Sequence, residues 1–95
     1  MSYLQELISE LHTLEQELSR FENKYGFLSE TFFAWYQDGH EPENPDWVQD
    51  FVFWAGTYQL KMRRRQKYDR LVSQAVSQRS MSELMHESSL VGVAG

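Results

Sequence analysis

The chain contains no cysteine, only two prolines and five glycines among its 95 residues. Without cysteine it can form no disulfide, no thiolate zinc site and no cysteine nucleophile. It also has no apolar run long enough for a transmembrane helix, and no basic leader followed by an apolar stretch. We therefore expect a cytoplasmic protein that does not insert into a membrane.

Basic residues are scarce in the first two thirds of the sequence. Residues 1–60 contain eleven Asp and Glu but only two basic residues, Arg20 and Lys24, whereas residues 61–70 hold six of the nine Lys and Arg. These six, which we call the basic cluster, are Lys61, Arg63, Arg64, Arg65, Lys67 and Arg70. The cluster could form a solvated helix exterior paired with acidic residues of this chain, a docking surface for an acidic partner, or a contact with nucleic acid.

The first 25 residues carry a heptad pattern, with apolar residues alternately three and four positions apart. The leucine stripe consists of Leu4, Leu7, Leu11, Leu14 and Leu18, and Phe21 and Tyr25 continue the pattern. Its flanks are mostly acidic, so self-pairing would set Glu10 and Glu17 against other Glu residues. The stripe with Glu10 and Glu17 is therefore a candidate surface for a basic-flanked partner, although for most of it we favour packing within the chain's own domain.

Turn and capping signals divide the chain into helices at about 3–25, 29–37 and 45–78. Gly26 ends the first helix, Ser29 is expected to cap the second, and Asn44 with Pro45 opens the third. We predict an all-α protein with a single domain over residues 1–79, packed as a helical hairpin or open bundle, and a flexible tail at 80–95.

Twelve of the fourteen aromatic residues lie between Phe21 and Tyr58. The core is therefore expected where the second helix and the first half of the third pack on the end of the first. The leucine stripe and the basic cluster would extend beyond this core, either paired with each other or as separate contact surfaces.

No residue pattern indicates catalysis. His12, His40 and His86 share no ligand spacing, and the scattered glycines form no phosphate-binding loop. The acidic loop, which comprises Glu41, Glu43, Asp46 and Asp50, lacks the oxygen spacing of a calcium site and is explained by solubility and helix capping. We predict a protein that is not an enzyme and needs no cofactor or metal.

Residues 21–32, FENKYGFLSETF, are followed by Asp38-Gly39, an acidic turn, Asp50-Phe51 and Trp54. This pattern resembles small prokaryotic proteins with a leucine-rich first helix, which are often encoded beside a toxin-like protein and look like antitoxins. Their shared core is similar to F-E-x-K-Y-G, S-E-x-F and D-F-x-x-W. The resemblance covers about residues 4–60. This chain departs from it at Phe53, where an acidic residue is usual, and in the turn, which holds Pro42 and Pro45.

The resemblance implies a non-catalytic protein that neutralises a cognate toxin by covering its active surface. Two other functions are compatible with the sequence: a structural or adaptor protein that assembles through its heptad helix, and a nucleic-acid-binding regulator that uses the basic cluster. The acidic overall charge and the lack of a recognisable DNA-binding motif make nucleic acid the less favoured partner.

Overall fold

The computed structural model describes residues 2–78 and Met85. It contains the helices α1 (Tyr3–Tyr25), α2 (Ser29–Gln37) and α3 (Val48–Gln78), and a short 3₁₀ turn at Pro45–Trp47 leads directly into α3. The described residues form no strand. The all-α prediction is confirmed, with a long first helix, a short aromatic second helix and a long third helix. The predicted flexible tail at 80–95 lies, except for Met85, outside the described residues.

Local signals at both ends explain the length of α1. The Ser2 hydroxyl accepts a hydrogen bond from the Gln5 amide at 3.2 Å, and the Gln5 side chain accepts one from the Ser2 amide at 3.3 Å. This capping box satisfies amides that would otherwise have no partner in the first turn. Gly26 ends the helix with a φ of 81°, which glycine adopts without steric cost, and its N–H bonds the Glu22 carbonyl at 2.8 Å.

The start of the third helical segment follows its sequence signals. The Asn44 side chain accepts a hydrogen bond from the Asp46 amide at 2.9 Å, and Pro45 occupies the first position of the 3₁₀ turn. From Val48 the α-helix continues through Gly56 without a break. Glycine in a helix interior costs about 1 kcal/mol relative to alanine. The packing of α3 against α1 and α2 offsets this cost.

α1 and α3 lie antiparallel as a helical hairpin. Lys24 at the end of α1 bonds Asp50 at the start of α3, while Glu10 in the first half of α1 contacts Arg64 far along α3. α2 packs against one end of this hairpin and contacts both long helices. The apolar heptad positions of α1 therefore pack against α3 of the same chain.

The aromatic core lies where all three helices meet, as the aromatic distribution predicts. Phe32 of α2 stacks on Trp54 of α3 with ring centroids 3.8 Å apart, and Phe21 of α1 stacks on the same indole at 5.8 Å. Leu18 and Phe51 belong to the same buried cluster, and Tyr25 also stacks on the indole at 5.7 Å. None of the described helices is both long enough and apolar enough to span a bilayer.

Candidate partner-binding surfaces

A buried hydrogen-bond network joins the three helices at Ser29. The Ser29 side chain is fully buried, accepts a hydrogen bond from the Trp54 indole N–H at 2.9 Å, and donates one to a Glu22 carboxylate oxygen at 2.7 Å. The same carboxylate oxygen accepts the Ser29 backbone N–H at 2.8 Å. The prediction that Ser29 caps α2 was wrong: Leu28 is the N-cap residue and has no capping hydrogen bond from its side chain. The carboxylate of Glu22 sits at the positive end of α2 instead.

A second network joins the end of α1 to the start of α3. Asp50 accepts hydrogen bonds from the Lys24 ammonium at 2.7 Å and from the Tyr25 hydroxyl at 2.5 Å. These hydrogen bonds, from Lys24 and then Tyr25, lower the pKa of Asp50, and the bond to Asp50 raises the pKa of Lys24. Burial, followed by the bond to Asp50, raises the pKa of Tyr25. Asp50, predicted to serve solubility and capping, is therefore a link between helices.

These two networks account for the motif on which the family resemblance rests. Phe21 and Trp54 form the core stack, Glu22 supports α2, and Lys24 and Tyr25 hold Asp50. These motif residues therefore hold the three helices together. Phe53, where the chain departs from the motif, is 61% exposed, so the departure alters the surface and leaves the core pattern intact.

The leucine stripe lies mostly inside the hairpin. Leu7, Leu11 and Leu18 are buried, and Leu4 and Leu14 are half-buried. Binding a separate chain through the buried leucines would require α1 to leave α3.

The two acidic flanking residues of the stripe have partners within the chain. Glu10 lies 2.7 Å from the Nε of Arg64, and Glu17 pairs with Arg20 one turn later on α1. The contact of Glu10 with Arg64 is a close charge pair and does not have the geometry of a hydrogen bond. The basic partner expected for the acidic flank of α1 is thus supplied, at this position, by α3.

The basic cluster divides into paired and unpaired residues. Arg64 contacts Glu10, Arg65 bonds Asp69 at 3.2 Å, and the Lys67 ammonium lies 4.9 Å from the ring centroid of Tyr3. Within the described part of the chain, Lys61, Arg63 and Arg70 form no ion pair or hydrogen bond, and the last two are exposed. The cluster is partly a pairing surface for α1 and partly an exposed basic face.

An aromatic groove opens beside the core, between α2, the loop that carries Glu41 and Glu43, and the 3₁₀ turn. It has a volume of about 600 Å³, and the buried rings of Phe32, Phe51 and Trp54 form its floor. The groove-lining residues around this floor are Phe27, Thr31, Trp35, His40, Glu41, Pro42, Glu43 and Trp47. Three of these aromatic side chains are well exposed: Phe27 at 60%, Trp35 at 39% and Trp47 at 42%.

The groove is not among the sites that the sequence predicts. The side chains of Phe27, Trp35 and Trp47 belong to three separate parts of the sequence, and the packing of α2 across the hairpin brings them together. The signal that could have found it is the number of aromatic residues, which exceeds what one small core can bury. Proline and acidic residues in the adjoining loop then mark the rim.

Comparison of the chain with protein-family models, with curated proteins and with solved structures found no match. Among the described residues, no three His, Cys, Asp or Glu side chains lie close enough together to hold a metal ion. The resemblance to antitoxins thus stays a prediction from the sequence motif.

Proposed function

We propose that this chain is a non-catalytic protein-binding module that acts in the cytoplasm as the antitoxin of a toxin–antitoxin pair. The observation that carries the protein-binding part is the open aromatic groove, in which Phe27, Trp35 and Trp47 remain exposed next to a completed core. Exposed aromatic clusters of this kind are typical of interaction surfaces, where Trp and Phe are enriched. The antitoxin part rests on the sequence resemblance.

The motif residues Glu22, Lys24 and Asp50 are occupied in bonds between helices, so we place partner binding at the aromatic and acidic side chains exposed beside the core. The groove and its acidic rim are the best candidates, because their side chains are accessible without unfolding any described helix. Covering a toxin's active surface requires shape and charge complementarity but no chemistry from the antitoxin. An acidic, aromatic surface suits a toxin with a basic active site.

Co-expression with the protein encoded beside this gene tests the proposal. The neighbour alone is expected to slow growth, and co-expression of this chain is expected to restore it and to yield a stoichiometric complex by size-exclusion chromatography with mass determination. Failure to form a complex, together with no relief of toxicity, would overturn the proposal. A frame-shifted copy of this gene, expressed from the same promoter, controls for the burden of co-expression.

A nucleic-acid contact through the basic cluster is a second candidate function, favoured by the exposed Arg63 and Arg70. On this account a duplex DNA probe binds with an affinity that falls steeply as salt rises, because phosphate contacts release counterions. Replacing both residues with glutamine should then weaken binding and flatten the salt dependence. Arg65→Gln is a control, because the Arg65 guanidinium is bonded to Asp69.

A further inference from the structure

We infer that the aromatic groove binds a cationic side chain, preferably arginine, from an extended basic segment of a partner protein. The inference rests on the proposed function for the identity of the protein that supplies this segment. The chemistry of recognition follows from the groove itself, which combines exposed aromatic rings with carboxylates. Its lining contains no Lys or Arg, although His40 stacks on Trp35 with ring centroids 5.3 Å apart.

The aromatic rings supply one half of the recognition. Trp35 and Trp47 are both partly exposed on the groove, and each packs against Phe51 in the floor, with ring centroids 6.0 and 6.3 Å away respectively. Packing against the floor limits their rotation, so their positions are largely set before a ligand arrives. A guanidinium or ammonium group is attracted to the face of an indole, most strongly when it is partly removed from water.

Two carboxylates supply the other half. Glu41 and Glu43 lie in the loop that forms the rim of the groove, and both are exposed. No described residue forms an ion pair with either carboxylate, whereas Asp50 nearby in sequence is already held by Lys24. The rim therefore offers two unpaired negative charges beside aromatic rings, which favours a cationic occupant and disfavours an anionic one.

The size of the groove indicates a segment larger than a single ion. Its volume of about 600 Å³ falls within the range of about 300–1,000 Å³ that is usual for sites of drug-sized ligands. A short peptide segment with one or two cationic side chains would fill it. Arginine suits the site better than lysine, because its planar guanidinium can stack on an indole and bond a carboxylate at the same time.

The direct test is an NMR titration of the full chain with a short, blocked oligoarginine peptide. We expect shifts concentrated in the indole N–H signals of Trp35 and Trp47 and in the backbone amide signals of His40, Glu41 and Glu43. The matching oligocitrulline peptide, which has the same shape without the charge, should produce little shift. Equal shifts with the two peptides, or shifts spread over the acidic face of α1, would overturn the inference.

Variants separate the groove from general attraction to an acidic protein. Glu41→Gln/Glu43→Gln keeps every aromatic contact and should weaken oligoarginine binding roughly three- to tenfold. Glu6→Gln/Glu15→Gln removes the same amount of charge from exposed positions on α1. Because salt screens distant surface charges, this variant should change the affinity for oligoarginine by less than about twofold. Similar losses in the two variants would contradict a specific site.

The same variants distinguish this inference from the proposed function. If wild type and Glu41→Gln/Glu43→Gln bind and neutralise the neighbour-encoded protein equally well, the antitoxin proposal stands and the inference is overturned. If oligoarginine binds in the groove but the neighbour-encoded protein does not bind at all, the recognition chemistry is supported and the antitoxin proposal is overturned. Occupation of the groove by the basic face of a second copy would appear as concentration-dependent shifts without peptide, and would contradict a separate partner.

Discussion

A single hydroxyl connects all three helices of this protein. The Ser29 hydroxyl accepts a hydrogen bond from the buried indole N–H of Trp54 and donates one to the half-buried carboxylate of Glu22, so one side chain bonds polar groups of two other helices. In the low-dielectric interior an indole N–H without an acceptor would destabilise the fold. Ser29 therefore matters for stability although its side chain is small.

Replacing Ser29 with alanine should therefore destabilise the fold by about 1–3 kcal/mol, because the Trp54 N–H loses its acceptor in the core. Urea denaturation followed by circular dichroism measures the change. Ser19→Ala, at an exposed position on α1, is the matched control and should change stability by less than about 0.5 kcal/mol. Equal midpoints for the two variants would show that the network contributes nothing.

The link between Lys24, Tyr25 and Asp50 predicts how stability depends on pH. Asp50 has a pKa below its ordinary 3.8 in the fold, so its contribution is present above about pH 4 and is lost as the pH falls through the lowered value. Lys24 and Tyr25 have raised pKa values, so their contributions are present below about pH 10 and are lost as the pH rises further.

Asp50→Asn should accordingly lower the unfolding free energy at neutral pH, and the difference from wild type should shrink as the pH falls below about 4. Chemical denaturation at several pH values measures this difference. Glu15→Gln removes an exposed carboxylate without a described partner and should leave the acid profile nearly parallel to wild type. A constant offset between Asp50→Asn and wild type at every pH would contradict the link.

The sequence predicts the helices but not the hydrogen-bond networks between them. Ser29 has the residue type and position of a helix cap, and the local pattern gives no sign that Glu22 takes that place while the hydroxyl turns to Trp54. Asp50 likewise follows an acidic run that reads as a solvated loop. Each assignment depends on which helix packs opposite, and that information is tertiary.

The helices themselves follow from local signals. Periodic apolar residues, the glycine at 26 and the Asn44-Pro45 start predict the segments because each acts within one or two turns of chain. The partner of α1 was harder to predict, since a heptad stripe suits either an intramolecular hairpin or a second chain. The contacts of Glu10 with Arg64 and of Tyr3 with Lys67 show α3 in that role.

Gly56 provides a test at the level of the long third helix. It lies in the helix interior, is exposed, and an added Cβ would meet no atom within 4 Å. Gly56→Ala should therefore stabilise the protein by about 0.5–1 kcal/mol, because alanine is the better helix former and restricts the unfolded chain.

Thermal or urea unfolding measures this effect, and Gly26→Ala is the opposing control. Gly26 has a φ of 81°, which alanine adopts only with strain, so this variant should lose stability although space for the methyl group is available. A loss of stability in Gly56→Ala would indicate that α3 is not continuous in solution.

The molecule has two chemically different ends. The aromatic groove with its acidic rim lies where α2 meets the start of α3, and the exposed Arg63 and Arg70 lie farther along α3. Between them, the hairpin covers most of the leucine stripe. This arrangement favours a partner that binds the side of the folded hairpin over one that replaces a helix in it.

The free chain is accordingly expected to be a monomer. Light scattering coupled to size-exclusion chromatography should give the mass of one chain over a wide range of concentration, because α3 already covers Leu7, Leu11 and Leu18. Leu18→Ala, which leaves a cavity in the hairpin, should lower stability by about 2–5 kcal/mol without changing the oligomeric state of the folded fraction. A stable dimer that depends on Leu18 would favour the structural or adaptor function instead.

The most direct test of the account is the affinity of the neighbour-encoded protein for wild type and for Trp35→Ala/Trp47→Ala, measured by calorimetry with the folded state of both verified by circular dichroism. The account predicts that the wild type binds and that the variant, which loses two exposed aromatic contacts, binds at least tenfold more weakly, as is typical of aromatic hot spots. Equal affinities would contradict the assignment of the groove as the partner-binding surface.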